Sequence, residues 1–118
     1  MFENIQQDIK RYMLTDDVSS YRSFINMLLT NPSLWVICSY RLGRWVRRDC
    51  RIPIARDFLK LITKIIHEIL CLLTGIQIRF EATIGPGLYI GHTGTLIVSN
   101  LAVIGSNCNI GTDVVIGQ

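Results

Sequence analysis

The chain has 118 residues, of which 49% are hydrophobic and 18% are charged, and its formal net charge is +3. This length fits one modest domain, or a small helical part joined to a repeat part. So mild a charge argues against a nucleic-acid partner, because such domains usually carry a clustered basic face.

The part of the chain up to Gly75 has the apolar spacing of helices. Four helices are predicted, over 2–14, over 20–29, from Asn31 to about Arg47, and from Pro53 to near Gly75. Asn31 can cap the free amides of the third helix, and the proline that follows it needs no hydrogen-bond partner. Gly75 favours a left-handed stop for the fourth helix. We therefore predict an N-terminal α-helical domain over 1–75.

The fourth helix carries a polar stripe at helical spacing. Its members are Lys60, Lys64, His67 and Glu68. A membrane-spanning helix needs about 20 nearly uncharged residues, so the stripe predicts an amphipathic packed helix and no membrane span. As a member of the stripe, His67 is expected to be exposed and without a function.

We interpret the tryptophans, the arginine cluster and the cysteines as structural residues and not as parts of a binding site. Trp35 and Trp45 are expected in its core. The arginine cluster could bind phosphate groups, but we interpret it as a cationic helix end with a solvated loop; it comprises Arg44, Arg47, Arg48, Arg51 and Arg56. The four cysteines lack the spacing of a metal site or disulfide framework, and no secretory signal is apparent, so we expect reduced thiols in the cytoplasm.

From Ile78 onward an isoleucine recurs every six residues, and a glycine follows it in five of six cases. The leading residues are Ile78, Ile84, Ile90, Ile104, Ile110 and Ile116. A fixed hexapeptide period is typical of a parallel β-helix, in which inward aliphatic side chains on three faces stack from coil to coil. The following glycine would supply backbone angles that a Cβ forbids. We predict an α + β protein in which 76–118 form a partial β-helix of about two coils.

The six-residue period slips by two positions between Ile90 and Ile104, beside His92. Leu96 continues the first register, whereas Val98 leads into the second. Such departures from a regular array concentrate at functional sites. Histidine is the usual general base when a neutral hydroxyl must become nucleophilic near pH 7. The segment around His92 is therefore the candidate site, and a surface histidine without a task is the alternative.

Two stretches resemble bacterial serine O-acetyltransferases and their polysaccharide-modifying relatives. The sequence from Gly85 to Ile104, GPGLYIGHTGTLIVSNLAVI, matches the active-site coil of that family without a gap, phase slip included. Upstream, the YRLGRW sequence from Tyr40 to Trp45 is similar to the helix that precedes the family's β-helix. The resemblance covers about residues 20–118 and is most specific around His92.

The resemblance implies a left-handed parallel β-helix beside the helical domain, in homotrimers or dimers of trimers. Acetyl-CoA would be the co-substrate, bound in the groove between adjacent β-helices, and no metal is implied. His92 matches the catalytic histidine, which removes the acceptor's hydroxyl proton as the oxygen attacks the thioester; such general-base assistance contributes about 10²–10⁴-fold. The implied acceptor is serine, and the implied role is cysteine biosynthesis.

Two positions and one segment depart from the serine acetyltransferase pattern. Gln77 stands where the family has the aspartate that pairs with the histidine, and an amide can orient an imidazole without offsetting its charge. Gly91 replaces a second acidic residue. Both are similar to polysaccharide-type relatives, so a sugar hydroxyl is the alternative acceptor. The family's segment that binds the serine amine falls near Asp16-Asp17-Val18, which makes Asp17 a candidate substrate ligand, with a simple helix break as the alternative.

The family continues past the position of Gln118 into a loop with a second substrate-side histidine and into further coils. We therefore expect a C-terminally truncated member, with most of its contacts to acetyl-CoA beyond Gln118. A non-catalytic module is the alternative function. A zinc enzyme of the γ-carbonic-anhydrase type binds metal through three histidines, and this chain has only His67 and His92.

Overall fold

The computed structural model describes residues 2–15, 19–48, 52–91, 94–111 and 113–117. Four helices come first: α1 Phe2–Thr15, α2 Tyr21–Thr30, α3 Pro32–Arg48 and α4 Pro53–Thr74. Seven short strands follow: β1 Ile76–Ile78, β2 Thr83–Ile84, β3 Tyr89–Ile90, β4 Leu96–Val98, β5 Val103–Ile104, β6 Asn109–Ile110 and β7 Val114–Ile116. The predicted α + β architecture is confirmed, with helix bounds within one residue of those expected.

The helix ends follow from local sequence. The Ser20 hydroxyl accepts the amide of Ser23 at 3.2 Å and caps α2. Gly75 adopts a φ of 77°, and its amide donates to the Cys71 carbonyl at 2.9 Å, which closes α4 as predicted. The side-chain amide of Asn31 donates to the Met27 carbonyl at 2.8 Å, so this residue closes the end of α2. Among the described helices, none combines the length and apolar content that crossing a membrane requires.

Strands β1 to β4 each pair in parallel with the strand three places further along the chain. The pairs form one three-stranded sheet, β1-β4-β7, and two two-stranded sheets, β2-β5 and β3-β6. The chain therefore visits three sheets in turn and returns to the first. Ile76 pairs with Leu96, and Leu96 pairs in turn with Val114, so the first coil is longer than the second by two positions. This difference is the phase slip predicted from the sequence.

The hexapeptide isoleucines point inward. Five of the six leaders are at most 8% exposed, and the sixth, Ile116, is half-buried. Both end residues of β1 and of β4 face the core, so that Leu96 and Val98 are each 1% exposed. The slip therefore leaves no gap in the apolar interior. Leu96 is the last inward residue of the first register, Val98 is the first of the second register, and both belong to β4.

The expectation that the glycines after the leading isoleucines supply backbone angles forbidden to other residues is wrong. All five are described, and none has a left-handed φ. At Gly85 the requirement is space, because a Cβ there would lie 2.8 Å from the backbone of Gly105 in the next coil. Gly105 itself has nothing within 4 Å of such an atom. Left-handed turns occur instead at Gly87, Asn107 and Asp113.

The helices pack on the outer edge of the first rung, which we define as residues 76–90. Strands β1, β2 and β3 each keep one edge without a neighbouring strand among the described residues. Helical side chains contact that edge and hydrogen-bond its backbone carbonyls; they are Tyr12 and Ser33 at Ile90, Tyr40 and Arg44 at Ala82, Arg41 at Ile84 and Gly85, and His67 at Ile78. One hydrophobic core therefore runs through the helices and the strands.

Candidate functional site

The corner between β3 and β4 holds the two extra residues of the first coil. His92 and Thr93, in the middle of this corner, lie outside the described residues. On one side, the amide of Gly91 donates to the Ile110 carbonyl at 3.4 Å. On the other side, the amide of Gly94 donates to the Thr74 carbonyl at 3.1 Å. The backbone flanking His92 is thus bonded to the next coil and to the end of α4.

Gln77 is the one predicted site residue within the described ranges, since Asp17, like His92, lies outside them. Gln77 occupies the middle of β1, between the buried Ile76 and Ile78, so the alternation of the strand turns its side chain outward to solvent. It lines a cleft of about 380 Å³ between α4 and the segment that follows β1. The rim of this cleft carries charges of both signs, from Lys64, Glu68, Arg79 and Glu81.

His67 forms part of the floor of the cleft, and the expectation that it is exposed is wrong. Its side chain is 3% exposed. Nε2 lies 2.6 Å from the Ile78 carbonyl, which can only accept, so Nε2 carries the proton. Nδ1 lies 2.6 Å from the Ser39 hydroxyl. Burial lowers the pKa of His67, partly opposed by the bond to Ile78, so the neutral ring is favoured. The Ser39 hydroxyl lies within hydrogen-bond distance of both Nδ1 and the Val36 carbonyl, the latter at 2.8 Å.

Two members of the arginine cluster are also placed differently from the expectation. The Arg47 guanidinium stacks 3.9 Å over the Phe80 ring and donates to the carbonyls of Gly43 and Lys60. The Arg44 guanidinium donates to the carbonyls of Phe80 and Ala82 at 2.8 and 2.7 Å. Both side chains therefore fasten α3 to its surroundings. Arg51 lies outside the described residues, and Arg48 is exposed.

The tryptophans are less buried than predicted. Trp35 is 40% exposed, and its indole nitrogen donates to the Leu28 carbonyl at 2.6 Å, which ties α3 to α2. Trp45 is half-buried. Neither ring belongs to the set of fully buried side chains, in which Tyr12 and Tyr40 are the largest.

A buried ion pair was not predicted from the sequence. Asp8 and Arg41 are 0% and 4% exposed, and Arg41 Nε donates to Asp8 Oδ2 at 2.9 Å. The same carboxylate accepts the amides of Gly87 and Leu88 at 3.0 and 2.8 Å. The partners lie far apart in the sequence, on α1 and α3, and no sequence pattern signals their contact. The pair holds the turn between β2 and β3.

Tyr12 is the second buried polar contact that the sequence left unassigned. Its hydroxyl lies 2.8 Å from the Ser33 hydroxyl and 3.1 Å from the Ile90 carbonyl. Burial raises the pKa of Tyr12 to about 12, so the phenol stays protonated. It thus fixes the last residue of β3, close to His92 in the sequence. Within the described residues, no three His, Cys, Asp or Glu side chains lie close enough together to hold a metal ion.

Comparison with known proteins finds relatives of one kind. No family model matches the chain. It is 25% identical over 117 residues to a serine acetyltransferase of Synechococcus elongatus, and 27% identical over 116 residues to one of Bacillus licheniformis. The resemblance to serine acetyltransferases is confirmed. These alignments cover 99% and 98% of this chain but only 44% and 49% of the relatives, so the chain spans less than half their length.

Solved structures of the same name share the fold. The apoenzyme of soybean serine acetyltransferase superposes with a TM-score of 0.72 at 21% identity, over 95% of this chain and 41% of that one. Serine acetyltransferase isoform 3 of Entamoeba histolytica, in complex with cysteine, gives a TM-score of 0.70 at 23% identity, over 96% of this chain and 37% of that one. At these identities the likeness concerns the fold alone.

Proposed function

We propose that the chain is an acyltransferase that moves an acetyl group from acetyl-CoA to a hydroxyl group. In this proposal, residues 1–75 are a helical domain and 76–118 are the first coils of a left-handed parallel β-helix, in the cytoplasm. The observation that carries the proposal is the two-residue enlargement of one corner, at the one place in the repeat region that has a histidine. The similarity to serine acetyltransferases over nearly the whole chain supports it.

His92 is the proposed general base. Its neutral imidazole takes the proton of the acceptor hydroxyl while the oxygen attacks the thioester carbonyl. The carbon–sulfur bond then breaks, and the proton held by the imidazole passes to the departing CoA sulfur. An O-acetyl ester and free CoA thiol result, and no oxidant or metal is consumed. Assistance by a positioned histidine contributes about 10²–10⁴-fold to such a step.

Gln77 is the proposed positioning residue for the His92 ring. Its outward orientation from β1 leaves its amide free of the packed core, which supports the assignment. A carboxylate at this place would stabilise the imidazolium, whereas an amide only fixes the orientation of the ring. We also propose Asp17 as a ligand for the amine of an amino-acid acceptor.

Serine is the first acceptor to test, because both curated relatives are named serine acetyltransferases. A sugar hydroxyl is the second candidate, and it is favoured by Gln77 and Gly91, where two acidic residues of the serine enzymes are replaced. The proposed assembly is a homotrimer or a dimer of trimers, with acetyl-CoA bound between neighbouring copies. A module without catalytic activity is the outcome that would replace this proposal.

The test measures thiol release from acetyl-CoA in the presence of serine or of a sugar. We expect release with one acceptor class, a loss of at least about a hundredfold in His92→Ala, and a several-fold loss in Gln77→Ala. Thr95→Ala is the matched control, because Thr95 is an exposed residue of the same corner. Equal rates in the wild type and His92→Ala, or no release with any acceptor, would contradict the proposal.

A further inference from the structure

A second cavity, of about 250 Å³, lies between the start of α1, the second half of α3 and strand β2. We call it the arginine cavity. Its polar lining residues are Asn4, Arg41, Arg44, Trp45, Arg48 and Thr83. Among the described residues, no carboxylate side chain lines it. The cavity is separate from the candidate site, since Gln77 lies on β1 and the His92 corner follows β3.

The arginine cavity keeps a positive charge after its nearest ion pair is counted. Asp8 balances the charge of Arg41, at 2.9 Å. Arg44 and Arg48 form no ion pair with any residue in the described ranges. Glu81, which is close to both in the fold, lines the cleft beside β1 instead. The C-terminal end of α3 adds only about half a negative charge, so a positive surplus remains.

The effect of these charges is felt at Tyr40, whose hydroxyl bonds the same Ala82 carbonyl as Arg44 does. Burial raises the pKa of the Tyr40 phenol. The charges of Arg44, Arg41 and Arg48 lower this pKa and so oppose the effect of burial. The positive potential of the three guanidinium groups is therefore concentrated in one place, which favours the binding of an anion.

Arg44 is held in a fixed orientation with one edge of its guanidinium available. Its Nη1 donates to two main-chain carbonyls of the β1–β2 connection at 2.8 and 2.7 Å, and its Nη2 donates to the Thr83 hydroxyl at 3.3 Å. Its Nε meets no acceptor in the described part of the chain and is reached by solvent. The edge formed by Nε and Nη2 is the one through which Arg41 binds Asp8. A guanidinium fixed in advance loses little freedom when it binds a ligand.

Further hydrogen-bond donors line the same cavity. Arg48 is exposed at the end of α3, and its guanidinium has no hydrogen-bond partner among the residues that the structure describes. The indole nitrogen of the half-buried Trp45 and the side-chain amide of Asn4 are also without a partner within those ranges. A wall of this kind, rich in donors and poor in acceptors, suits a ligand with several anionic oxygens.

We propose that the arginine cavity binds the phosphate group of a small phosphorylated molecule, with Arg44 and Arg48 as its charged contacts. A phosphate group carries about −1.5 to −2 charges at pH 7, which matches two unpaired guanidinium groups better than a carboxylate does. Its oxygens point in several directions, so two arginines can each bind it. The inference goes beyond the proposed acetyl transfer, and its test contains no acetyl-CoA, so the two can fail separately.

The first experiment uses Trp45 as a reporter. Trp35→Phe leaves Trp45 as the sole tryptophan of the chain, and its fluorescence is followed during titration with inorganic phosphate at constant ionic strength. We expect a saturable change, and Arg48→Gln should weaken binding by about ten- to a hundredfold. Arg22→Gln is the matched control, because Arg22 is an exposed arginine of α2. The same response to chloride as to phosphate, or an equal loss in Arg22→Gln, would overturn the proposal.

A second measurement keeps both tryptophans and compares melting temperatures in phosphate and in acetate at equal ionic strength. A ligand that binds the folded chain stabilises it. Phosphate also stabilises proteins by exclusion from their surface, but that effect should be the same in Arg48→Gln. We therefore expect a larger rise with phosphate in the wild type than in Arg48→Gln, and no such difference with acetate.

Two outcomes would refute the assignment. An equal difference with acetate would mean that the cavity takes any anion. Binding to phosphatidylcholine–phosphatidylglycerol vesicles that Arg48→Gln abolishes, without any response to soluble phosphate, would assign Arg48 to a membrane surface and not to a small molecule.

Discussion

At the residue scale, the ion pair of Asp8 and Arg41 links α1 and α3 to each other and to the repeat region. Both are buried, and each bonds backbone groups at or beside the turn between β2 and β3 as well as its partner. Breaking a buried pair by removing one partner leaves an uncompensated charge, which typically costs about 3–5 kcal/mol. Replacement of both residues should lower the free energy of unfolding by less, because no unpaired charge remains buried.

Arg41→Met should therefore lower the free energy of unfolding by about 3–5 kcal/mol. Urea unfolding followed by circular dichroism checks this value. Arg22→Met, at an exposed position of α2, should change stability by less than about 0.5 kcal/mol. Equal effects of the two substitutions would show that the buried pair adds nothing to stability.

His67 predicts a pH dependence of stability. Burial holds its pKa in the folded state below the ordinary value of 6.5. The unfolded chain therefore binds a proton first as the pH falls, so this contribution is complete above pH 6.5 and declines below it, by up to about 1.4 kcal/mol per pH unit. In His67→Gln the decline between neutral and mildly acidic pH should be smaller. Identical pH profiles of the two proteins by urea titration would exclude a neutral buried imidazole.

At the scale of the elements, close stacking of two coils predicts opposite outcomes for two glycines. Gly85→Ala would force a Cβ to within 2.8 Å of the Gly105 backbone, and overpacking of this kind costs about 1–3 kcal/mol. Gly105→Ala meets nothing within 4 Å and should be tolerated. Thermal unfolding of the two variants is the measurement. Equal melting temperatures of the two variants would mean that the two coils accommodate the added methyl group at position 85 without loss of stability.

The bounds of the elements could be predicted because they depend on local chemistry. Proline at the start of α4 and glycine at its end act within one turn, and the six-residue period reports the inward face of every strand. The outward orientation of Gln77 follows from the same alternation. The orientation of α4 could not be predicted. The sequence shows that this helix has a polar and an apolar side, but it does not show which of the two packs on α3. The groups that His67 bonds on the packed side, the Ser39 hydroxyl and the Ile78 carbonyl, are distant from it in the sequence.

At the scale of the whole molecule, the helical layer takes the place of a coil above the first rung. Backbone carbonyls at such an edge need hydrogen-bond donors, and the side chains of α1, α3 and α4 supply them. A parallel array without this layer would expose an unpaired edge that favours aggregation.

The isolated segment 76–118 should accordingly remain disordered or aggregate, whereas the whole chain should unfold cooperatively. Circular dichroism and light scattering of the two, at equal concentration, provide the comparison. A soluble fragment with a β spectrum and a cooperative melting transition would show that the coils are stable without the helices.

Most hydrogen bonds from the helices to the first rung go to main-chain oxygen and nitrogen atoms, such as the Ile84 oxygen and the Leu88 amide. Main-chain atoms are the same whatever amino acid occupies a position. Outward positions such as Gln77 can thus be exchanged freely without loosening the attachment between the two halves. Substitutions at these outward positions can therefore change the surface chemistry of the first rung while its hydrogen bonds to the helices stay the same.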